Sequence, residues 1–168
     1  YGRGRSELQI GRALAGVPRD EFVLSTKVGR LLEPAQTPSA PGEFSDPLPF
    51  DVVFDYSRDA VLRSLDESLQ RLNLDRIDIA LIHDLDTAEE EDHAHWRTAV
   101  EGAYPTLDRL RSEGVVRAIG AGLNSAEPLV RLAREGDFDC FLLAGRYTLL
   151  DHSGLAELLP LCEEKRIS

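Results

Sequence analysis

Polar side chains that could do chemistry follow four short apolar segments of the chain. These segments are 22–26, 77–82, 118–123 and 140–145. They lead, in order, to Lys27, to His83, to Asn124, and to Arg146 with Tyr147. An amine or imidazole can transfer protons or attack a carbonyl, and amides and guanidiniums can hold polar ligands. Runs this short and this apolar are typical of strands buried on both faces, so we expect these groups at the carboxyl ends of parallel strands, where α/β barrels place their active sites.

Helical segments separate the four predicted strands. Ser6 and Gln9 predict a capping box for a first helix, Ser57 predicts the start of a second, and Ser153 predicts the start of a last one. Pro105 lies within a helical stripe and is expected to kink or restart that helix. Alternating helices and strands predict a parallel barrel or a doubly wound sheet. Gly120-Ala-Gly122 lacks the third glycine of a dinucleotide-binding turn, which favours the barrel.

A proline-rich segment from Gly29 to Tyr56 is predicted to be a long loop on the substrate side of the barrel. Phe44, Phe50 and Phe54 could form the apolar walls of a substrate pocket. They could equally hold the loop against the barrel rim, and both interpretations stay open.

An acidic segment from Asp84 to His95 follows the second predicted strand. His93 and His95 lie among carboxylates, which raises the possibility of a metal site. A solvated charged loop is the favoured interpretation on an acidic protein, so no metal ligands are predicted. Asp84 itself is interpreted as a cap for this loop.

Composition narrows the class of protein. The 168 residues are 42% hydrophobic and carry a formal net charge of −11, which fits a globular domain and disfavours nucleic acid as a partner. No apolar run approaches the roughly 20 residues needed to cross a bilayer. Cys140 and Cys162 have no disulfide or metal spacing, so a cytoplasmic location is expected. The chain lacks methionine, and four predicted strands are half of a closed barrel, so it is expected to be an internal fragment.

Several motifs occur in register along the chain, namely Tyr1-Gly-Arg-Gly-Arg-Ser-Glu7, Ser25-Thr-Lys-Val-Gly29, Ile77-Asp-Ile-Ala-Leu-Ile-His-Asp84 and Gly114-Val-Val-Arg-Ala-Ile-Gly120. Together they resemble the aldo-keto reductases, a superfamily of nicotinamide-dependent (β/α)₈ (TIM) barrels. Segments 46–56 and 143–151 are similar to the branch that includes fucose, galactose and threo-aldose 1-dehydrogenases and pyridoxal 4-dehydrogenase. The resemblance implies that residues 1–168 form one partial α/β barrel, about strands 3 to 6, without strands 1–2 and 7–8.

The resemblance also implies roles for individual residues. The family's catalytic tyrosine, lysine and histidine fall on Tyr1, Lys27 and His83, and its catalytic aspartate would precede residue 1. Asn124 matches the asparagine that contacts the nicotinamide carboxamide. Ala144 stands where many members have a glutamine. Lys27 would lower the pKa of the Tyr1 phenol, and His83 would donate a hydrogen bond to the substrate oxygen. Arg146 and Tyr147 could face substrate or pack at the rim.

The reaction implied is hydride transfer between NAD or NADP, with NAD favoured, and a small sugar-like alcohol, hemiacetal or aldehyde. The isolated 168 residues are expected to be inactive. Two alternatives remain. Lys27 could form a Schiff base as in barrel lyases, or the protein could be a non-catalytic, nicotinamide-binding regulatory subunit of the same fold. The sequence makes no prediction of oligomeric state.

Overall fold

A computed structural model describes residues 2–35, 46–88 and 94–168. The predicted site residues Tyr1 and Phe44, and also His93, lie outside this part of the chain. The strands are β1 (Ser25–Val28), β2 (Arg30–Pro34), β3 (Phe50–Phe54), β4 (Ile79–His83), β5 (Ala118–Leu123) and β6 (Cys140–Leu143). The helices are α1 (Arg5–Ala13), α2 (Arg58–Leu72), α3 (Leu85–Ala88), α4 (Ala94–Thr98), α5 (Tyr104–Ser112), α6 (Ala126–Glu135) and α7 (Leu158–Lys165).

Four strands form a parallel sheet in the order β1-β4-β5-β6. Each of these strands overlaps one of the four predicted apolar runs, with β1 and β4 extending beyond the ends of theirs, so the alternating α/β arrangement is confirmed. Parallel strands need crossover connections, and helices supply the crossovers here. The register pairs Lys27 with Leu81 and His83 with Gly122. The sheet therefore brings the carboxyl ends of all four strands to one edge.

A pair of short strands replaces part of the predicted loop. Strands β2 and β3 pair antiparallel, with Arg30 opposite Phe54 and Pro34 opposite Phe50. The prediction of an unstructured segment from Gly29 to Tyr56 is wrong at both ends. Pro34 is the last residue of β2, where a missing N–H is tolerated, so the prolines bound the strands rather than prevent them.

Helix boundaries follow the predicted stop and start signals only in part. The Ser57 hydroxyl accepts from the amide of Ala60 at 3.3 Å and caps α2 as predicted. Pro105 is the second residue of α5, after a π-helical turn at Ala99–Ala103, so the predicted restart is confirmed. The capping box at Ser6 is wrong, because α1 begins after Gly4, whose φ of 94° suits glycine.

The last helix also begins later than predicted. It starts at Leu158, because the segment before it is a tight turn. In that turn the Thr148 hydroxyl accepts from the amides of Leu150 and Asp151, and the Asp151 carboxylate accepts from Ser153. These local hydrogen bonds compete with helix formation.

One apolar core lies between the sheet and its helices, and it includes buried side chains from β4, β5, α2 and α6. Ile82, Ile119, Leu123 and Leu129 are fully enclosed. Burying each such side chain contributes about 1.5–3 kcal/mol, so this core holds the strand ends in fixed positions. Over the described residues, the helices lack the combination of length and apolar character that crossing a membrane requires.

Candidate active site

Lys27 and His83 lie on one face of the parallel sheet, near its carboxyl edge. Lys27 is paired with Leu81, and His83 lies two residues further along β4, so both side chains point to the same side. Gly122 faces them from β5, and a methyl group there would lie only 2.9 Å from Lys27 Cε. The lysine side chain therefore crosses the sheet in the space that glycine leaves open.

A cavity of about 480 Å³ opens beside these two residues. Lys27 and His83 both line it, together with Arg30. Leu32 and Val52 contribute apolar wall from the β2–β3 pair. The cavity thus combines an amine, an imidazole and a guanidinium with an apolar side, as small-molecule sites commonly do.

Burial and neighbouring cations control the protonation of the two groups. Burial, then Lys27 and then Arg30 lower the pKa of His83 to about 3, so its imidazole is neutral at neutral pH. Burial also lowers the pKa of Lys27, where the Asp84 carboxylate favours the ammonium and Arg30 disfavours it. A neutral imidazole can donate one hydrogen bond and accept another.

Asp84 connects three elements at this edge of the sheet. Its Oδ2 accepts from Arg30 Nη1 at 2.6 Å and lies 3.3 Å from His83 Nε2. Its Oδ1 accepts from the Asn124 side-chain amide at 3.3 Å. The sequence interpretation of Asp84 as a loop cap therefore missed its main contacts, which are to side chains distant in sequence.

Asn124 lies directly beyond β5 and is held on several sides. Its backbone amide donates to Asp86 Oδ2 at 2.7 Å, and Arg146 Nε donates to its carbonyl at 2.9 Å. The side-chain nitrogen lies between Asp84 Oδ1 and Asp86 Oδ1, the latter at 3.5 Å. Arg146 thus contacts this edge of the sheet through Asn124.

A buried tyrosine, packed against a partly buried phenylalanine, supports the backbone of His83. The Tyr56 hydroxyl donates to the carbonyl oxygen of His83 at 2.7 Å, and Tyr56 is fully enclosed. Burial and the Asp84 charge raise the pKa of Tyr56, so it remains a phenol. Phe54 stacks against Tyr56 at 6.5 Å and lies under the Arg30 guanidinium at 5.6 Å.

The structure gathers some of the predicted residues and separates others. Lys27, His83 and Asn124 share the carboxyl edge, and Arg146 adjoins it. Tyr147 lines a different cavity of about 440 Å³ with His152 and Leu155. Phe50 pairs opposite Pro34 and its carbonyl accepts from Arg3, so its place in a substrate pocket stays a prediction, as does that of Phe54.

Sequence reasoning missed several residues of this site, namely Arg30, Tyr56, Asp86 and Gly122. Asp86 carried a usable signal, because it follows a strand end by three residues, as many ligand-contacting polar groups do. Tyr56 carried none, because its role depends on a carbonyl 27 positions away.

The profile of the aldo/keto reductase family matches residues 1–168. A D-threo-aldose 1-dehydrogenase from a Pseudomonas species is 41% identical over 98% of this chain and 50% of its own length. A pyridoxal 4-dehydrogenase from Microbacterium luteolum is 38% identical over 98% of this chain and 52% of its own length. The chain therefore spans about half the length of the curated relatives it matches.

Solved structures give the same picture of the fold. An aldo-keto reductase from Bacillus halodurans, in its holo form, matches with a TM-score of 0.72 at 23% identity, over 100% of this chain and 48% of that one. An aldo-keto reductase from Pseudomonas aeruginosa matches with a TM-score of 0.60 at 32% identity, over 96% and 52%. These neighbours are (β/α)₈ barrels, and the predicted partial barrel is confirmed.

Proposed function

Because this chain belongs to the aldo/keto reductase family, we propose that it carries much of the active site of an NAD(P)-linked aldose-type dehydrogenase. In this proposal the activity belongs to a protein with a complete barrel, which oxidises a sugar-like hydroxyl or hemiacetal and runs reversibly. The observation that carries the proposal is the placement of Lys27 and His83 on one face, beside one cavity. The names of the two relatives favour aldoses or pyridoxal-like aldehydes as substrates.

The residues present fit a nicotinamide at the carboxyl edge. Two carboxylates face the side-chain nitrogen of Asn124, so its amide oxygen is turned away from them and can accept an N–H from a carboxamide. Asn124 would hold the cofactor there. A bound nicotinamide supplies or accepts the hydride, and the protein contributes position and field.

The proton is handled by this chain's own side chains. Tyr1 is proposed as the acid or base, although it lies outside the described residues. A Lys27 ammonium lowers the pKa of a neighbouring phenol, because a positive charge stabilises the phenolate. His83 is neutral and donates a hydrogen bond to the substrate oxygen, which orients the reacting carbonyl.

NAD is proposed as the preferred cofactor. The test compares the reaction with NAD⁺ to the reaction with NADP⁺. The whole protein containing this chain is incubated with NAD⁺ or NADP⁺ and a panel of free aldoses, with absorbance at 340 nm as the readout. We expect reduced cofactor with at least one aldose, faster with NAD⁺. No reduction with any aldose or with pyridoxal, in a protein that is folded by circular dichroism, would overturn the proposal.

One observation favours a second candidate, Schiff-base chemistry at Lys27. Burial lowers the pKa of this amine, and unprotonated amines attack carbonyls. Borohydride reduction in the presence of substrate distinguishes the two. An adduct on Lys27, with the exposed Lys165 as the internal control, would support the second candidate, whereas hydride transfer leaves both lysines unmodified.

A further inference from the structure

We propose that Asp84 is a positioning residue that orients two groups of the site at once, the imidazole of His83 and the amide of Asn124. This inference deepens the proposed function and rests on it for its consequences in catalysis.

The Asp84 carboxylate lies beside the neutral imidazole of His83. Its Nε2 lies 3.3 Å from Asp84 Oδ2. A neutral imidazole carries one N–H, on either nitrogen, and an ionised carboxylate only accepts hydrogen bonds. The carboxylate therefore favours the proton on Nε2, and a bound substrate oxygen would share or take over this single N–H from Asp84.

The same carboxylate faces the side-chain amide of Asn124. Asn124 Nδ2 lies 3.3 Å from Asp84 Oδ1 and 3.5 Å from Asp86 Oδ1. A flipped amide would direct its oxygen at two carboxylates, which is repulsive. Asp84 therefore helps to decide that Asn124 offers an acceptor, and not a donor, to the nicotinamide side of the site.

Contacts of its side chain and of its backbone hold Asp84 in position. Arg30 Nη1 holds Asp84 Oδ2 at 2.6 Å, and the Asp84 backbone amide donates to the Gly122 carbonyl at 3.0 Å. The residue adopts a φ of 45°, a left-handed conformation that aspartate and asparagine tolerate better than most residues. Asp84 is thus anchored to β5 by its backbone and to the start of β2 by its side chain.

The left-handed backbone conformation of Asp84 determines which substitution is a suitable test. Asp84→Asn keeps the shape and the φ preference but removes the charge, whereas alanine would add backbone strain. Asp86→Asn is the matched control, because Asp86 holds the backbone amide of Asn124 at 2.7 Å and leaves the His83 contact untouched.

The readout is the ¹⁵N spectrum of the imidazole in labelled protein at neutral pH, assigned by its loss in His83→Gln. We expect the wild-type imidazole to be protonated on Nε2, Asp84→Asn to give a mixture of the two tautomers, and Asp86→Asn to resemble wild type. An Nδ1-protonated wild-type imidazole would overturn the proposal even if Asp84→Asn failed to fold. An unchanged tautomer in folded Asp84→Asn would also overturn it.

A second measurement separates this inference from the proposed function. Binding of NADH is followed by its fluorescence in the whole protein, and loss of the amide orientation is expected to weaken binding about tenfold in Asp84→Asn. Unchanged NADH affinity in Asp84→Asn would overturn the amide half of the inference. If wild type binds no NADH while the tautomer still responds to Asp84→Asn, the proposed function fails and the positioning of His83 stands.

Discussion

Two aspartate–arginine pairs flank β4, and they have opposite surroundings. Asp78 precedes the strand and is held by Arg19 at 2.6 Å; Asp84 follows it and is held by Arg30 at the same distance. The side chains of the first pair are 1% and 14% exposed, and those of the second pair are 20% and 28% exposed. The chemistry of the pairs is the same, so their different roles come from the end of the strand on which each lies.

Backbone groups surround the pair at the amino end. Asp78 Oδ2 also accepts from the Leu24 amide at 2.8 Å, and its own carbonyl accepts from the amides of Arg117 and Ala118. Burial by itself raises the pKa of Asp78, but the hydrogen bonds from Arg19 and Leu24 outweigh it and hold that pKa below its ordinary value. This pair connects the beginnings of three strands and is shielded from solvent, whereas the pair at the carboxyl end contacts an imidazole and an amide.

The largest expected effect on stability comes from replacing the aspartate at the amino end of β4 by asparagine, compared with the same replacement at its carboxyl end. Asp78→Asn leaves the buried Arg19 charge without its partner and is expected to cost about 3–5 kcal/mol of unfolding free energy. Asp84→Asn breaks a half-open pair and is expected to cost about 1 kcal/mol. Urea unfolding measures both values, and equal losses would contradict the distinction between the two ends.

Substitution of Lys27 is expected to affect activity more than stability. Lys27→Met in the active whole protein is expected to lower kcat about 100-fold or more, because the phenol loses its cationic neighbour. The pKa of Lys27 is lowered in the folded state, so its charge opposes folding at neutral pH, and Met should leave stability equal or higher. Lys165→Met is the control, since this exposed lysine lies at the end of α7, and a matching loss there would contradict the role of Lys27.

The lowered pKa of His83 predicts a pH dependence of stability at the carboxyl end of β4 that differs from the one expected for Asp78 at the amino end. Its folded pKa of about 3 lies below its ordinary value of 6.5, so the unfolded chain takes up the proton first. Stability should therefore fall as the pH drops from 6.5 towards 3, by up to about 1.4 kcal/mol per pH unit.

His83→Gln should flatten this decline. The loss that remains should begin near pH 4.5, the ordinary pKa of Glu7, and continue below 3.8, that of Asp78, because both have lowered pKa values in the fold and the unfolded chain takes up these protons first. Urea unfolding at a series of pH values measures it. If the wild-type decline between pH 6.5 and pH 5 persists in His83→Gln, groups other than His83 cause it.

The smallest expected effect on stability comes from removing the Tyr56 hydroxyl, which supports the His83 backbone. Tyr56→Phe keeps the ring packed against Phe54 but removes the 2.7 Å hydrogen bond to the His83 carbonyl, at a cost of about 1 kcal/mol. Tyr104→Phe is the control, because that hydroxyl accepts from the exposed amide of Asp137 at 2.9 Å. We expect a lower Tm for Tyr56→Phe than for Tyr104→Phe, and the reverse order would contradict a supporting role for Tyr56.

The strands and the groups at their ends were readable from sequence because both are local signals. An apolar run with a polar residue after it identifies a buried strand and its end, as at Lys27, His83 and Asn124. The β2–β3 pair was not readable from sequence, because Pro34 and Pro49 are typical of loops and obscure the pattern of two short strands. The pairing also joins residues up to 24 positions apart, as Arg30 and Phe54 are.

The amino-acid sequence by itself determined the alternating parallel architecture and the identity of the amine, the imidazole and the amide at one edge of the sheet. The tertiary structure alone decided how these groups meet. Asp84 reaches Arg30 across 54 positions and Asn124 across 40, and Lys27 crosses β4 to reach Gly122. Such contacts depend on strand order and register, which arise only when the whole sheet packs, and no local pattern encodes them.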